Sequence, residues 1–168
     1  NRLGRKCCWG GCVRKWLNCD MDALNLPPFE YKVTKSGANY LIFDILRRKN
    51  VVLTPEEWVR QHIVHYLINS LGYPKSLISI ERGTSYNKLQ KRTDLCVYNN
   101  QGQPHLLIEC KAAHIPITQE VVKQVSTYNQ TLQAPYVVIT NGLQHFCWQV
   151  DFETRRFEPL ADIPGFSS

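Results

Sequence analysis

Several features are missing from this 168-residue chain, and each absence excludes a class of protein. No apolar run approaches the length of a membrane span, and the N-terminus lacks the apolar core of a secretion signal. There is no internal repeat, low-complexity tract or long linker, which argues against a repeat architecture. The phosphate-cradling pattern G-x-x-x-x-G-K-[ST] does not occur, so the polypeptide carries no P-loop motor. Methionine appears once, at Met21. The five histidines, His62, His65, His105, His114 and His145, show no metal-ligand spacing.

What is present reads as one ordinary globular domain, 43% hydrophobic and 20% charged. The expected setting is the cytoplasm, with no membrane partner. The formal net charge of +6 suggests nucleic acid, but its distribution weakens the inference. Arg2, Arg5, Lys6, Arg14 and Lys15 stand against Asp20 alone in the first twenty residues, leaving +2 from Met21 onward. Binding to DNA must therefore rest on local patches. Cysteine is divided in the same way. Cys7, Cys8, Cys12 and Cys19 crowd the start, without paired C-x-x-C halves or a nearby histidine to make a zinc site. Residues 1–20 are read as non-native or disordered sequence, and residues 21–168 as a single domain. Cys96, Cys110 and Cys147 fall in expected strands and are read as small buried residues.

Alternation over 29–33 and a strand-like run over 40–45, separated by turn residues 36–39, predict an N-terminal hairpin. Residues 54–71 predict the clearest helix. Thr54 is its N-cap, Pro55 its first residue, and Val59, Ile63, Tyr66, Leu67 and Leu71 its buried stripe, with Gly72 beyond its end. Strands are expected at 77–81, 93–98 and 105–111, the last two forming a hairpin across the turn 99–104. A second helix at 118–132 carries Val121, Gln124, Val125, Tyr128 and Leu132 on one face. An apolar strand at 135–140 suits a sheet covered on both faces, and a last strand follows at 145–150. The order predicts an α/β fold with a mixed sheet.

The chemistry gathers at Asp94 and at Glu109-Cys110-Lys111. Side chains two apart on a strand share a face, so Glu109 and Lys111 point together, and the hairpin brings Asp94 alongside. Two carboxylates hold a hard divalent ion such as Mg²⁺, for which Mn²⁺ can substitute. The ion stabilises charge on a phosphodiester and acidifies its water, which a lysine orients or deprotonates. The alternative is a solvated strand edge with a Glu109–Lys111 surface pair, and spacing alone leaves both readings open.

The string Asp94-(x14)-Glu109-Cys110-Lys111 resembles the PD-(D/E)XK nuclease superfamily, and specifically the N-terminal nuclease domain of type I restriction enzyme R subunits. Pro55-Glu56-Glu57-Trp58-Val59-Arg60-Gln61 resembles that family's first helix, which supplies an acidic residue, and Leu71-Gly72-Tyr73-Pro74 its helix exit. Gln124-x-x-x-Tyr128 matches its Q-x-x-x-Y motif, and Thr140-Asn141-Gly142 a later turn. The resemblance covers roughly residues 26–150; one departure is Thr93, which stands where the motif's name has proline. It implies a three-layer, restriction-endonuclease-like core, with Asp94 and Glu109 as ligands of Mg²⁺, Lys111 as the water-assisting group and DNA as substrate. Gln124 and Tyr128 would contact DNA or support Lys111. A motor or specificity subunit is an implied partner.

Helical geometry selects Glu56 over Glu57 as the further acid. Glu56 lies within the apolar stripe, with Arg60 one turn on, whereas Glu57 sits at the stripe's edge and closes a capping box with Thr54. The competing account of Glu56 is a plain pair with Arg60. Lys88, Lys91 and Arg92, in the loop entering the Asp94 strand, are expected to hold phosphates. Arg47-Arg48-Lys49 is expected to decorate a turn. The leading functional alternative is a non-catalytic nucleic-acid-binding or assembly module that keeps the fold. A third, hydrolysis of a small phosphate compound, requires a closed pocket.

Overall fold

The computed structural model describes residues 21–80 and 93–166. The clustered N-terminal cysteines and Lys88, Lys91 and Arg92 lie outside the described residues. Among the described residues the fold consists of two sheets, two α-helices and a short 3₁₀ turn at Lys75–Leu77. A small antiparallel sheet holds β1 (Val33–Ser36), β2 (Asn39–Asp44) and β3 (Lys49–Val52). The central sheet has six strands in chain order: β4 (Ile78–Ile80), β5 (Leu95–Tyr98), β6 (Pro104–Cys110), β7 (Tyr136–Thr140), β8 (His145–Asp151) and β9 (Arg156–Leu160). Among the described strands only β6 and β7 pair in parallel, and the connection between them carries the helix α2 (Gln119–Leu132). The mixed α/β architecture agrees with the sequence expectation.

Helix α1 (Pro55–Asn69) forms where its capping signals place it. Thr54 Oγ1 accepts a hydrogen bond from the Glu57 N–H at 3.0 Å. The helix stops two residues short of the expected end, where the Ser70 and Leu71 N–H groups both turn back to the Tyr66 carbonyl. Val59, Ile63 and Leu67 are fully buried against Leu95, Val97, Leu106 and Ile108 of the central sheet. Helix α2 covers the opposite face. Its Val125 packs with Val137, Ile139 and Val150, while Tyr128 and Leu132 pack with Cys96, Leu107 and Ala134. The central sheet is thereby covered on both faces, as the apolar β7 predicts. Cys96, Cys110 and Cys147 are buried. Among the described residues no helix is long and apolar enough to cross a membrane.

Three expectations need correction. The first hairpin strand runs over β1, later than the expected 29–33, because Ser36 pairs with Asn39 across a turn at Gly37, which has φ +58°. Phe29 and Tyr31 alternate for another reason. Phe29 stacks on His65 with ring centroids 4.1 Å apart, and Tyr31 meets Trp58 edge-on at 5.1 Å, so they cover the outer side of α1. The strand β3 was not expected, since Lys49 and Asn50 begin it and only Val51 and Val52 are apolar. The strand β9 was not expected either: Pro159 interrupts its sequence signal, and proline is tolerated there because the strand is at the sheet edge.

Candidate active site

Asp94 immediately precedes β5. Its N–H donates to the Ile108 carbonyl at 3.1 Å, extending the ladder by one residue and setting Asp94 opposite Glu109. Beyond that point the side chain replaces the ladder: Asp94 Oδ2 accepts the Cys110 N–H at 2.7 Å. On β6, Leu106, Ile108 and Cys110 point into the core beneath α1, and Leu107 points toward α2. Strand alternation places Glu109 on the α2 side with Leu107.

Glu109 is 4% exposed, a costly location for a carboxylate. Its Oε1 accepts from Lys111 Nζ at 2.6 Å, while Oε2 is buried with no hydrogen-bond partner. Burial, reinforced by the charge of Asp94, pushes the Glu109 carboxyl up to about 7 against the pull of Lys111. Burial works to lower the Lys111 ammonium, but its bond to Glu109 outweighs this and holds it above the ordinary lysine value. The Lys111 N–H donates to the Thr140 carbonyl at 2.8 Å, so β7 carries the ladder past the end of β6.

The residue that joins α1 to this group is Arg60. Its Nη2 donates to Asp94 Oδ1 at 2.6 Å and to Glu56 Oε1 at 3.1 Å, and its Nη1 donates to Glu57 Oε2. Burial opposes the guanidinium charge, but Asp94 and Glu57 overcome it and hold its pKa above the ordinary arginine value. Sequence reading treated Arg60 only as a helical partner for Glu56. The available signal was an arginine between Val59 and Ile63 on a buried helix, which demands carboxylates to face it.

The two glutamates differ from expectation. Glu57, expected at the stripe's edge, is buried, and its carboxylate closes no capping box; it takes Gln61 Nε2 at 2.8 Å, Arg60, and Arg47 at 3.3 Å. Glu56 keeps a side chain that is 45% exposed and shares Arg60 Nη2 with Asp94. Its charge reaches Glu109 and Lys111, so of the two acids it is the one turned toward the site. Arg47 does more than decorate a turn, since it also pairs with the buried Asp44 at 3.1 Å.

Gln124 and Tyr128 stand one turn apart on α2, both half-buried. Tyr128 packs over Leu107, the residue two before Glu109 on the same side of β6. The Thr140-Asn141-Gly142 turn organises the chain that leaves Lys111. Asn141 Oδ1 accepts the Leu143 and Gln144 N–H groups, and its Nδ2 donates to the Ile115 carbonyl at 3.0 Å. Gly142 takes φ +83°, and a Cβ there would meet Leu24 Cδ2 at 2.7 Å.

Among the described residues no group of three or more His, Cys, Asp or Glu side chains is placed to cage a metal. An ion such as Mg²⁺ does not need a cage: it keeps several waters and takes one or two carboxylates. Asp94 and Glu109 fit that demand, and the orphaned Glu109 Oε2 is an acceptor in need of a positive partner.

A family model described as "Type I restriction enzyme R protein N terminus (HSDR_N)" matches residues 55–164. No curated protein matches the chain significantly. The chain belongs to the type I restriction enzyme R protein N-terminal family.

Proposed function

We propose that Asp94, Glu109 and Lys111 form the centre of a metal-dependent nuclease that hydrolyses phosphodiester bonds in DNA, as part of bacterial restriction in the cytoplasm. The reading rests chiefly on one observation. A nearly buried carboxylate, Glu109, keeps one oxygen orphaned while the neighbouring Lys111 ammonium holds the other at 2.6 Å. A structure that buries such a group without satisfying it incurs a cost that function can explain.

Asp94 and Glu109 would hold Mg²⁺ or Mn²⁺. When bound, the ion supplies charge stabilisation at the scissile phosphate and a more acidic water. Lys111, kept as an ammonium by Glu109, would orient the attacking water or a phosphate oxygen. Glu56 adds a third negative charge on the open side. Gln124, Tyr128, Lys88, Lys91 and Arg92 are proposed to contact the DNA, and a motor or specificity subunit to be the protein partner.

A second reading, a non-catalytic DNA-binding or assembly module, draws support from the engagement of both Asp94 oxygens, by Arg60 and by the Cys110 N–H. The small-phosphate reading has less behind it. Among the described residues, two of the cavities, of about 450 and 220 Å³, are lined by α2 with the β8–β9 turn and by Leu46, Arg47 and β4, and neither of these includes Asp94, Glu109 or Lys111.

Cleavage of linear and circular DNA, with Mg²⁺ or Mn²⁺ and with wild type against Lys111→Ala, separates these readings. Metal-dependent cutting that disappears in Lys111→Ala supports the nuclease. DNA binding without cutting by either protein favours the module.

A further inference from the structure

Arg60 puts a positive charge where the nuclease reading needs a metal. It is 8% exposed, and each edge of its guanidinium has a distinct surrounding. Nη1 is committed to Glu57. Nη2 spans Asp94 and Glu56, at 2.6 and 3.1 Å. Nε is buried without a partner. An always-charged, planar group of this kind neutralises carboxylates that would otherwise repel one another.

Neither end of the contact depends on the other for its orientation. Asp94 has a second anchor in the Cys110 N–H, at 2.7 Å on its other oxygen. Glu57 has Gln61 at 2.8 Å and Arg47 at 3.3 Å in addition to Arg60. Nη2 can therefore leave Asp94 while Nη1 remains tethered on Glu57, and Asp94 keeps its direction when it does.

We propose that Arg60 is a positioning residue that holds the place of the divalent ion, neutralising Asp94 and Glu56 in the metal-free protein and giving up Asp94 Oδ1 when the ion enters. The proposal rests on the reading of Asp94 and Glu109 as the ion-binding pair. Its physical content is a competition. A unit charge within hydrogen-bond distance of Asp94 opposes a cation there, and Asp94 and Glu56, which share Nη2, repel each other without that charge. Arg60 thus stabilises the metal-free fold at the expense of metal affinity. An arginine with a purely structural role would leave that affinity unchanged, and one needed to aim Asp94 would raise it.

Calorimetric titration of the full chain with Mn²⁺, at fixed ionic strength, tests the competition. Arg60→Gln is expected to bind Mn²⁺ about tenfold more tightly than wild type. Arg60→Lys, which keeps the charge, is expected to stay near wild type, and Asp94→Asn to lose binding. Equal or weaker binding by Arg60→Gln, with Asp94→Asn still abolishing it, overturns the role of Arg60 and leaves the ion site standing. Binding unaffected by Asp94→Asn, or absent from wild type and Arg60→Gln alike, overturns both. Binding that Arg60→Gln alone acquires supports the proposal. Should Arg60→Gln fail to fold, the side-chain ¹⁵N resonance of Arg60 in the wild type decides. It is expected to move on saturation with Mg²⁺, and an unmoved resonance overturns the proposal.

Discussion

The Asp94 carboxylate is bonded to the backbone of Cys110: Oδ2 accepts the N–H at 2.7 Å, where the β5–β6 ladder has run out. Cys110 lies between Glu109 and Lys111, so this bond ties the start of one strand to the peptide that carries the other two members of the site. Asp94 is a structural clamp on the site's geometry as well as a candidate ligand.

Asp94→Ala removes the acceptor of the Cys110 N–H and leaves Arg60 Nη2 with Glu56 alone. It is expected to destabilise the metal-free protein by about 2–4 kcal/mol in urea unfolding. Asp94→Asn retains an oxygen for the Cys110 N–H and is expected to cost about half as much or less. Equal losses for the two variants would mean that the clamp carries no weight.

Glu109→Gln is expected to stabilise the metal-free protein at pH 8. The Glu109 carboxyl is raised in the fold from an ordinary 4.5 to about 7. Its favourable contribution is fully present below 4.5 and is lost as pH rises through about 7. The variant does not titrate, so its advantage over wild type should grow between pH 5 and pH 8, reaching about 3 kcal/mol. Urea unfolding in chelator across that range measures it, and a constant gap would contradict it.

The histidines beneath Phe29 give the opposite sign. His62 is buried and its Nδ1 lies 3.1 Å from the Trp58 carbonyl oxygen; burial holds its pKa below the ordinary 6.5. Its contribution to stability is present above 6.5 and is lost as pH falls through its lowered value in the fold. His62→Phe should flatten the acid side of the stability profile below pH 6.5, as read by thermal unfolding. A wild-type profile with the same slope in the variant would exclude His62 as its source.

Asn141→Ala removes three hydrogen bonds, to Leu143, Gln144 and Ile115. It is expected to cost about 1–3 kcal/mol and to speed amide hydrogen exchange over residues 112–116, the chain leaving Lys111. Faster exchange confined to 141–144 would show that the turn does not hold that segment.

The parts of the fold legible in the sequence were those with one dominant local signal. The Thr54-Pro55 start of α1, the α2 span and the strand that carries Glu109 and ends just before Lys111 all appear within two residues of expectation. The shared face of Glu109 and Lys111 and the approach of Asp94 followed from strand alternation and a hairpin. Arg60 was not legible as the link between α1 and Asp94, because that contact spans 34 residues and no local pattern reports it. Glu57 was misjudged because the angular position of a residue describes its own helix. Arg47, on the turn after β2, joins Arg60 and Gln61 in making this part of α1 a place to bury a carboxylate.

The most direct test of the central claim is the initial rate of DNA cleavage in Mg²⁺, compared between wild type and Lys111→Ala at equal folded concentration. The site described here predicts metal-dependent cutting by wild type that falls at least about a hundredfold in the variant and stops in chelator. Cutting that persists undiminished in Lys111→Ala, or in chelator, would contradict it.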